Sequence, residues 1–227
     1  MKPTMKSLII VRAGSQRVKN KSIIPFADSS LLEIKIKQMK RIEAKSLIDG
    51  VVVNSNDDFV LEVAKNMGCE AIKRDDYYCS DSISANELHE HLAKTFTADI
   101  AMFTNTTSPL VKDKTLEGAI EAYWNNVDGT KYDSLNAGHV LKEFLWFNGK
   151  TINYDPDNKP RSQDLPDIIS LDSATDIISC EKMIEARSFV GKKPYIFIVD
   201  SEEGKEVDWP IDFEVTEFLY KKRNGLL

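Results

Sequence analysis

Short runs of apolar residues alternate along the chain with longer stretches in which apolar positions return every three or four residues. Residues 8–11, 51–53, 100–103 and 196–199 read as buried strands, and 31–42, 59–67, 85–95, 116–124 and 213–221 read as helices. In the second helix Val60, Val63, Ala64 and Met67 line one face and Gly68 supplies a stop, the pattern of an amphipathic crossover. Strands joined by such crossovers run parallel, and an open parallel sheet takes its ligand in the crevice outside the carboxyl ends of its strands. The rhythm therefore predicts an α/β chain with a Rossmann-like open, mainly parallel sheet flanked by helices. Between about 132 and 166 the pattern changes. Phe144, Trp146 and Phe147 precede an Asn148-Gly149 turn and a polar loop over 155–160, which reads as a small β-rich insertion. An apolar hairpin that projects needs cover, so the insertion predicts dimerisation, a homodimer. With no repeat or linker in view, residues 1–227 read as a single domain that carries this insertion.

The first apolar run opens directly into Arg12-Ala13-Gly14-Ser15-Gln16-Arg17-Val18-Lys19-Asn20-Lys21. Gly14 permits close backbone approach, Ser15 can donate, and Arg12, Arg17, Lys19 and Lys21 can neutralise phosphate oxygens. Neither the dinucleotide fingerprint nor a Walker loop is present. On these residues alone the bend reads equally as a solvated basic loop. Charge sharpens the picture: a formal net charge of -6 and a pI near 5.2 argue against general affinity for nucleic acid or an anionic membrane, so the cations are a local feature. Cys69, Cys79 and Cys180 form no CxxC pair, which suits a reducing cytoplasm better than a disulfide framework or zinc site, and no segment has the length of a signal core or a membrane span. His89 and His91 are two residues apart on a predicted helix and His139 lies in the insertion, so no zinc-binding pair arises.

Two further stretches carry chemistry. In an extended segment Glu206 and Asp208 project to the same side, so both can reach one hard cation such as Mg2+, although Glu202, Glu203 and Glu206 also read together as a solvated acidic patch. Thr104, Thr106, Thr107 and Ser108 crowd the end of the third major strand before Pro109, where hydroxyls also serve as turn and cap residues.

Taken in order, these segments resemble the cytidylyltransferases that activate sialic acids and related 2-keto sugar acids. The bend is similar to that family's ARGGSKRxPxKN signature. Residues 53–57 stand where it has a strand ending in Ser-Thr-Asp, and Arg74 with Ser80-Asp81-Ser82 and Ser84 resembles its Arg and Ser-Asp segment. Thr107-Ser108-Pro109-Leu110 is similar to its QPTSPLR loop, Arg161 to Pro166 to its RxQDLP element, and Glu206-Val207-Asp208 with Asp212, Phe213 and Glu217 to its acidic ending. The resemblance spans nearly the whole chain. It implies a nucleotidyltransferase-type fold and transfer of CMP from CTP to a nonulosonate-like acid, with release of pyrophosphate, in the service of surface polysaccharide biosynthesis. It implies that Arg12, Gly14, Ser15, Arg17 and Lys21 bind the phosphates of CTP and that Arg74 and Ser84 bind cytosine. Asp208 and Glu206 would hold Mg2+, with Arg12, Lys21 and Asp208 central to catalysis. Asn105, Thr107, Lys142, Arg161 and Gln163 would face the sugar acid, the arm residues across a shared dimer site; surface charges on a dimer rim are an equal reading of Lys142 and Arg161.

The chain departs from the signature at Gln16, Ser22, Asn56, Asn105-Thr106, Val111 and Asp172-Ser173-Ala174. Asn56 removes a carboxylate from the metal side, and the changes at 105, 106, 172 and 173 fall on acceptor-side elements. They leave open a 3-deoxy-octulosonate-like acid, a phosphonate or a sugar phosphate as acceptor, and a homologue that binds nucleotide or sugar acid without turnover.

Overall fold

Valine-rich and isoleucine-rich runs with no room for solvent on either face become the centre of a seven-stranded sheet in the computed structural model, which describes residues 2–14 and 17–227. In chain order the elements are β1 (Met5–Ile10), β2 (Pro25–Phe26), β3 (Ser29–Ser30), α1 (Leu31–Ala44), β4 (Val51–Ser55), α2 (Asp58–Asn66), β5 (Glu70–Lys73), α3 (Ala85–Thr95), β6 (Ile100–Phe103) and α4 (Asp113–Asn126). There follow β7 (Ser134–Leu141), β8 (Trp146–Phe147), β9 (Lys150–Thr151), β10 (Ile168–Ser179), α5 (Cys180–Ala186), β11 (Pro194–Ile198) and α6 (Pro210–Arg223). The sheet order is β11-β7-β10-β6-β1-β4-β5. β10 alone among these strands runs antiparallel to its neighbours, so the expected mainly parallel α/β sheet is what the chain forms.

Local chemistry fixes the crossovers. The Ser30 hydroxyl accepts the Glu33 N–H while Glu33 reaches back to the Ser30 hydroxyl, starting α1. Asp57 caps α2 through the Phe59 N–H at 2.9 Å, and Gly68, at φ +73°, takes the chain out of it. Two apolar layers result: Ile9, Val53, Met102 and Ile177 pack on the α1/α2/α4 side, and Leu8, Val52, Ala101 and Ile178 on the α3/α5 side.

Three elements differ from the sequence reading. The run at 196–199 is not a buried strand: β11 pairs only with β7 and is the half-exposed sheet edge. β7, within the stretch read as an insertion, is a strand of the central sheet, paired with β10 and β11. What projects beyond Leu141 and before Ile168 is an arm holding the β8/β9 ladder, with Trp146, Phe147 and Ile152 more than half exposed. β10 itself carries a wide irregularity: Leu171 pairs with Gly138 and Asp176 with Asn136, so residues 172–175 bulge out of the ladder. Among the described residues no helix is long and apolar enough to cross a membrane.

Candidate active site

At the carboxyl ends of β1 and β6 lies a cleft of about 260 Å³ whose walls include Arg12, Arg17, Lys21, Asn105, Glu206 and Asp208. The two ends of the chain meet there. Arg17 Nη2 stands 2.9 Å from Asp208 Oδ1, Lys21 Nζ stands 3.4 Å from the same oxygen, and Lys21 also donates to the Val207 carbonyl at 2.8 Å. The Arg17 guanidinium lies over the Trp209 ring, 5.1 Å from its centroid. Asp208 is thus a counter-ion shared by two cations of the bend. The acidic segment is held in turn by α6, where the Asp212 carboxylate accepts the N–H groups of Asp208 and Trp209. Glu217 accepts the Ala27 N–H and ties α6 to the β2/β3 turn.

A second cavity of about 320 Å³ adjoins the first, with Ile10 and Arg12 forming the shared wall. It is lined by Arg74, Tyr78, Cys79, Ser84 and Leu88 among others. Arg74 is 1% exposed; it donates through Nη2 to the Val11 carbonyl at 2.8 Å and through Nε to Cys79 Sγ, while its Nη1 has no partner. No carboxylate pairs with it among the described residues. A buried guanidinium with an unspent donor is costly unless a ligand acceptor completes it. The Ser84 hydroxyl accepts the Glu87 N–H as the cap of α3, which leaves its own hydrogen to donate. Arg12 reaches this side as well, paired with Asp81 at 2.7 Å and with the Cys79 carbonyl at 3.2 Å.

Several departures from the signature are joined to one another or to the site, while Gln16 lies outside the described residues. Asn56 accepts the Ala13 N–H at 3.1 Å and donates to Asp76 at 2.9 Å, a bridge that an aspartate could not make against another carboxylate. Ser22 and Thr106 meet, hydroxyl to hydroxyl at 3.1 Å, linking the cationic bend to the loop after β6. Asp172 folds the bulge by accepting the Ala174 N–H at 3.0 Å and lies 3.4 Å from His139 Nδ1. The bulge then grips that same loop: the Ser173 carbonyl accepts from Ser108 Oγ, and the Ser173 N–H donates to Glu206 at 2.9 Å. From beneath, fully buried Lys35 donates to Gln38 and to the Ser108 carbonyl at 3.1 Å; burial pulls its ammonium from 10.5 to about 7.

Asn105 and Thr107 line the first cleft; Thr107 Oγ1 is buried there without a partner among the described residues. Lys142, Arg161 and Gln163 do not come to it. Lys142 pairs with Asp167 at 2.6 Å and Arg161 with Asp164 at 2.7 Å, all on the arm. Gly14 sits in the bend at φ +79°, whereas Ser15 lies outside the described residues. Among the described residues no three acidic, histidine or cysteine side chains converge to hold a metal ion by themselves. Glu206 and Asp208, facing one cleft with cations for phosphate beside them, fit a divalent ion that takes one or two carboxylates and completes its shell on phosphate. Sequence reasoning did not single out Asp176, a charge just before the apolar pair Ile177-Ile178, which β10 carries on the α3/α5 side of the sheet.

A family model described as "Cytidylyltransferase" matches residues 7–179. The chain is 24% identical over 231 residues to the post-translational flagellin modification protein B of Campylobacter coli, covering 95% of this chain and 94% of that one. It is 25% identical over 230 residues to the pseudaminic acid cytidylyltransferase of Campylobacter jejuni, covering 96% and 97%. In fold it is similar to the structure of CMP:2-keto-3-deoxy-manno-octonic acid synthetase complexed with CTP, at a TM-score of 0.69 and 13% identity over 97% of this chain and 99% of the other.

Proposed function

This chain belongs to the cytidylyltransferase family, and we propose that within it the chain joins CMP from CTP to the anomeric hydroxyl of a nonulosonate-like 2-keto sugar acid and releases pyrophosphate. One observation carries the reading: the cationic bend after β1 and the acidic tandem before α6 face each other across a cleft, 2.9 Å apart at Arg17 and Asp208. The names of the Campylobacter relatives, one of them a pseudaminic acid cytidylyltransferase, support the acceptor class.

In-line attack on the α-phosphorus needs little covalent help from protein; it needs alignment and neutralisation of charge on the departing pyrophosphate. Arg74 and Ser84 bind cytosine in the second cavity, and Arg12, at the shared wall, spans from base to phosphates. Arg17 and Lys21 turn from Asp208 to the phosphate oxygens, which frees the Asp208 carboxylate. Asp208 with Glu206 would hold Mg2+, which when bound would supply charge neutralisation on the triphosphate. Asn105 and Thr107 face the sugar acid. The exposed aromatic arm pairs with that of a second copy, and Lys142, Arg161 and Gln163 reach the acceptor's carboxylate across the homodimer, Arg161 by its planar fork. The free cysteines suit a cytoplasmic site of action.

The test is incubation with CTP, Mg2+ and separate acylneuraminate, legionaminate, pseudaminate and 3-deoxy-octulosonate acceptors, following pyrophosphate and the mass of the CMP-sugar. Pyrophosphate with at least one nonulosonate is expected. CTP-induced thermal stabilisation without pyrophosphate from any acceptor would overturn turnover and leave a binding protein.

A further inference from the structure

Next to the nucleotide cleft, on the α3/α5 face of the sheet, stands a carboxylate that none of the roles above employs. Asp176 lies opposite Phe103 in the β10/β6 ladder, so the two side chains share a face, and Phe103 lies opposite Leu8, two residues before the cleft residue Ile10. Two strand spacings, about 10 Å, separate β10 from β1. That is within reach of a sugar acid bound beside the triphosphate.

The carboxylate is built to stay in place. Asn136 donates to Asp176 Oδ1 at 2.7 Å and to the Phe189 carbonyl at 3.0 Å, while its own oxygen accepts from Ser134. Every donor of that amide is spent, which fixes its orientation and with it the carboxylate. The Phe103 ring is stacked on Phe189 with centroids 4.5 Å apart. Phe103 and Asp176 are each only partly buried. Burial pushes the Asp176 carboxyl up to about 7, Asp172 and Glu206 adding to the push, and among the described residues no cation pairs with it. A neutral hydroxyl would leave the carboxyl to its proton; a cationic group would hold it ionised, and an adjacent phenyl face favours the same sign.

Resting on the cytidylyltransferase reading above, we propose that Asp176 determines acceptor specificity by binding a positively charged nitrogen substituent, an amine or amidine, of the sugar acid against the Phe103 face. The substrate class is thereby narrowed from acylated nonulosonates to those carrying one charged nitrogen.

Matched nonulosonate acceptors that differ only in bearing an amine or amidine against an N-acetyl group, at C5, C7 or C9, decide it. The wild-type protein should favour the charged member of at least one pair by about tenfold or more in kcat/KM. Asp176→Asn, which keeps shape and the bond from Asn136, should remove that preference by raising KM for the charged member while leaving KM for CTP in place. Equal use of both members of every pair by the wild type, or a preference that survives in Asp176→Asn, overturns the assignment. Should no acceptor release pyrophosphate, the proposed reaction falls separately. Calorimetric binding of the same pairs to CTP-loaded protein then decides Asp176, and identical affinities in wild type and Asp176→Asn would sink it.

Discussion

The base and phosphate side of the cleft and its acceptor side are built on opposite plans. On the first, polar groups wait for a ligand: Arg74 is buried with a free donor, and Arg17 and Lys21 share one carboxylate that phosphate can replace. On the second, most polar groups are spent on one another, Thr107 Oγ1 excepted. Ser22 holds Thr106, Ser173 holds Ser108 and Glu206, and Lys35 holds the Ser108 carbonyl from below. Lys142 and Arg161 of the arm are neutralised by their own neighbours and stand clear of the cleft. The difference teaches that, on the proposed reading, one chain carries the described groups assigned to the nucleotide, while the wall assigned to the acceptor would take its second side from another copy.

The heaviest blow to this contrast comes from Asp208→Asn, which removes the counter-ion of the bend and the carboxylate assigned to the metal. Turnover should fall at least about a hundredfold with unchanged circular dichroism; retained turnover would take Asp208 out of the chemistry. Arg74→Met comes next. Loss of a charged donor in a dry pocket should raise KM for CTP by about 10- to 100-fold and leave KM for the acceptor in place, a split read directly from steady-state kinetics.

Lys142→Ala should do the reverse, raising KM for the acceptor by about tenfold and sparing CTP. If the arm serves the partner's cleft, mixing Lys142→Ala with Asp208→Asn protomers should restore activity, because a mixed dimer owns one cleft free of both changes; a mixture no better than its parts would place the arm elsewhere. The smallest effect is one of stability. Lys35 binds its proton with an ordinary lysine affinity when unfolded and only up to about pH 7 when folded, so between about 7 and 10.5 the unfolded chain carries the extra proton and stability rises with pH. Lys35→Met should flatten that rise in urea titrations run at pH 7, 8 and 9. An unaltered slope would mean that the lysine is not held neutral.

Much of what faces the cleft from the amino-terminal side was legible in the sequence because it is local: Arg12, Gly14, Arg17 and Lys21 follow one strand within a single bend, whereas the spacing of Glu206 and Asp208 also fitted a solvated acidic patch until the family resemblance was added. The acceptor half was not, for reasons of strand chemistry. β10 is interrupted by Ser170, Asp172, Ser173, Thr175 and Asp176, which breaks the alternation that marks a half-buried strand, and its bulge lets those residues turn toward the loop and Glu206. Asn136, Gly138 and His139 likewise hide β7 behind poor strand formers. The pairing of Ser22 with Thr106 joins positions 84 apart, and only the fold reveals that two departures from the family pattern answer each other.

The reach of β10 has a consequence for how such a protein can diversify. One unbroken strand starts at the root of the arm with Ile168, carries the bulge and Asp176 past the sugar-binding wall, and finishes at Ser179 as the cap of α5. If the arm joins copies and Asp176 meets the sugar as proposed, a lineage that remodels the arm also tugs on the residues that inspect the incoming sugar, so quaternary form and diet would be inherited together.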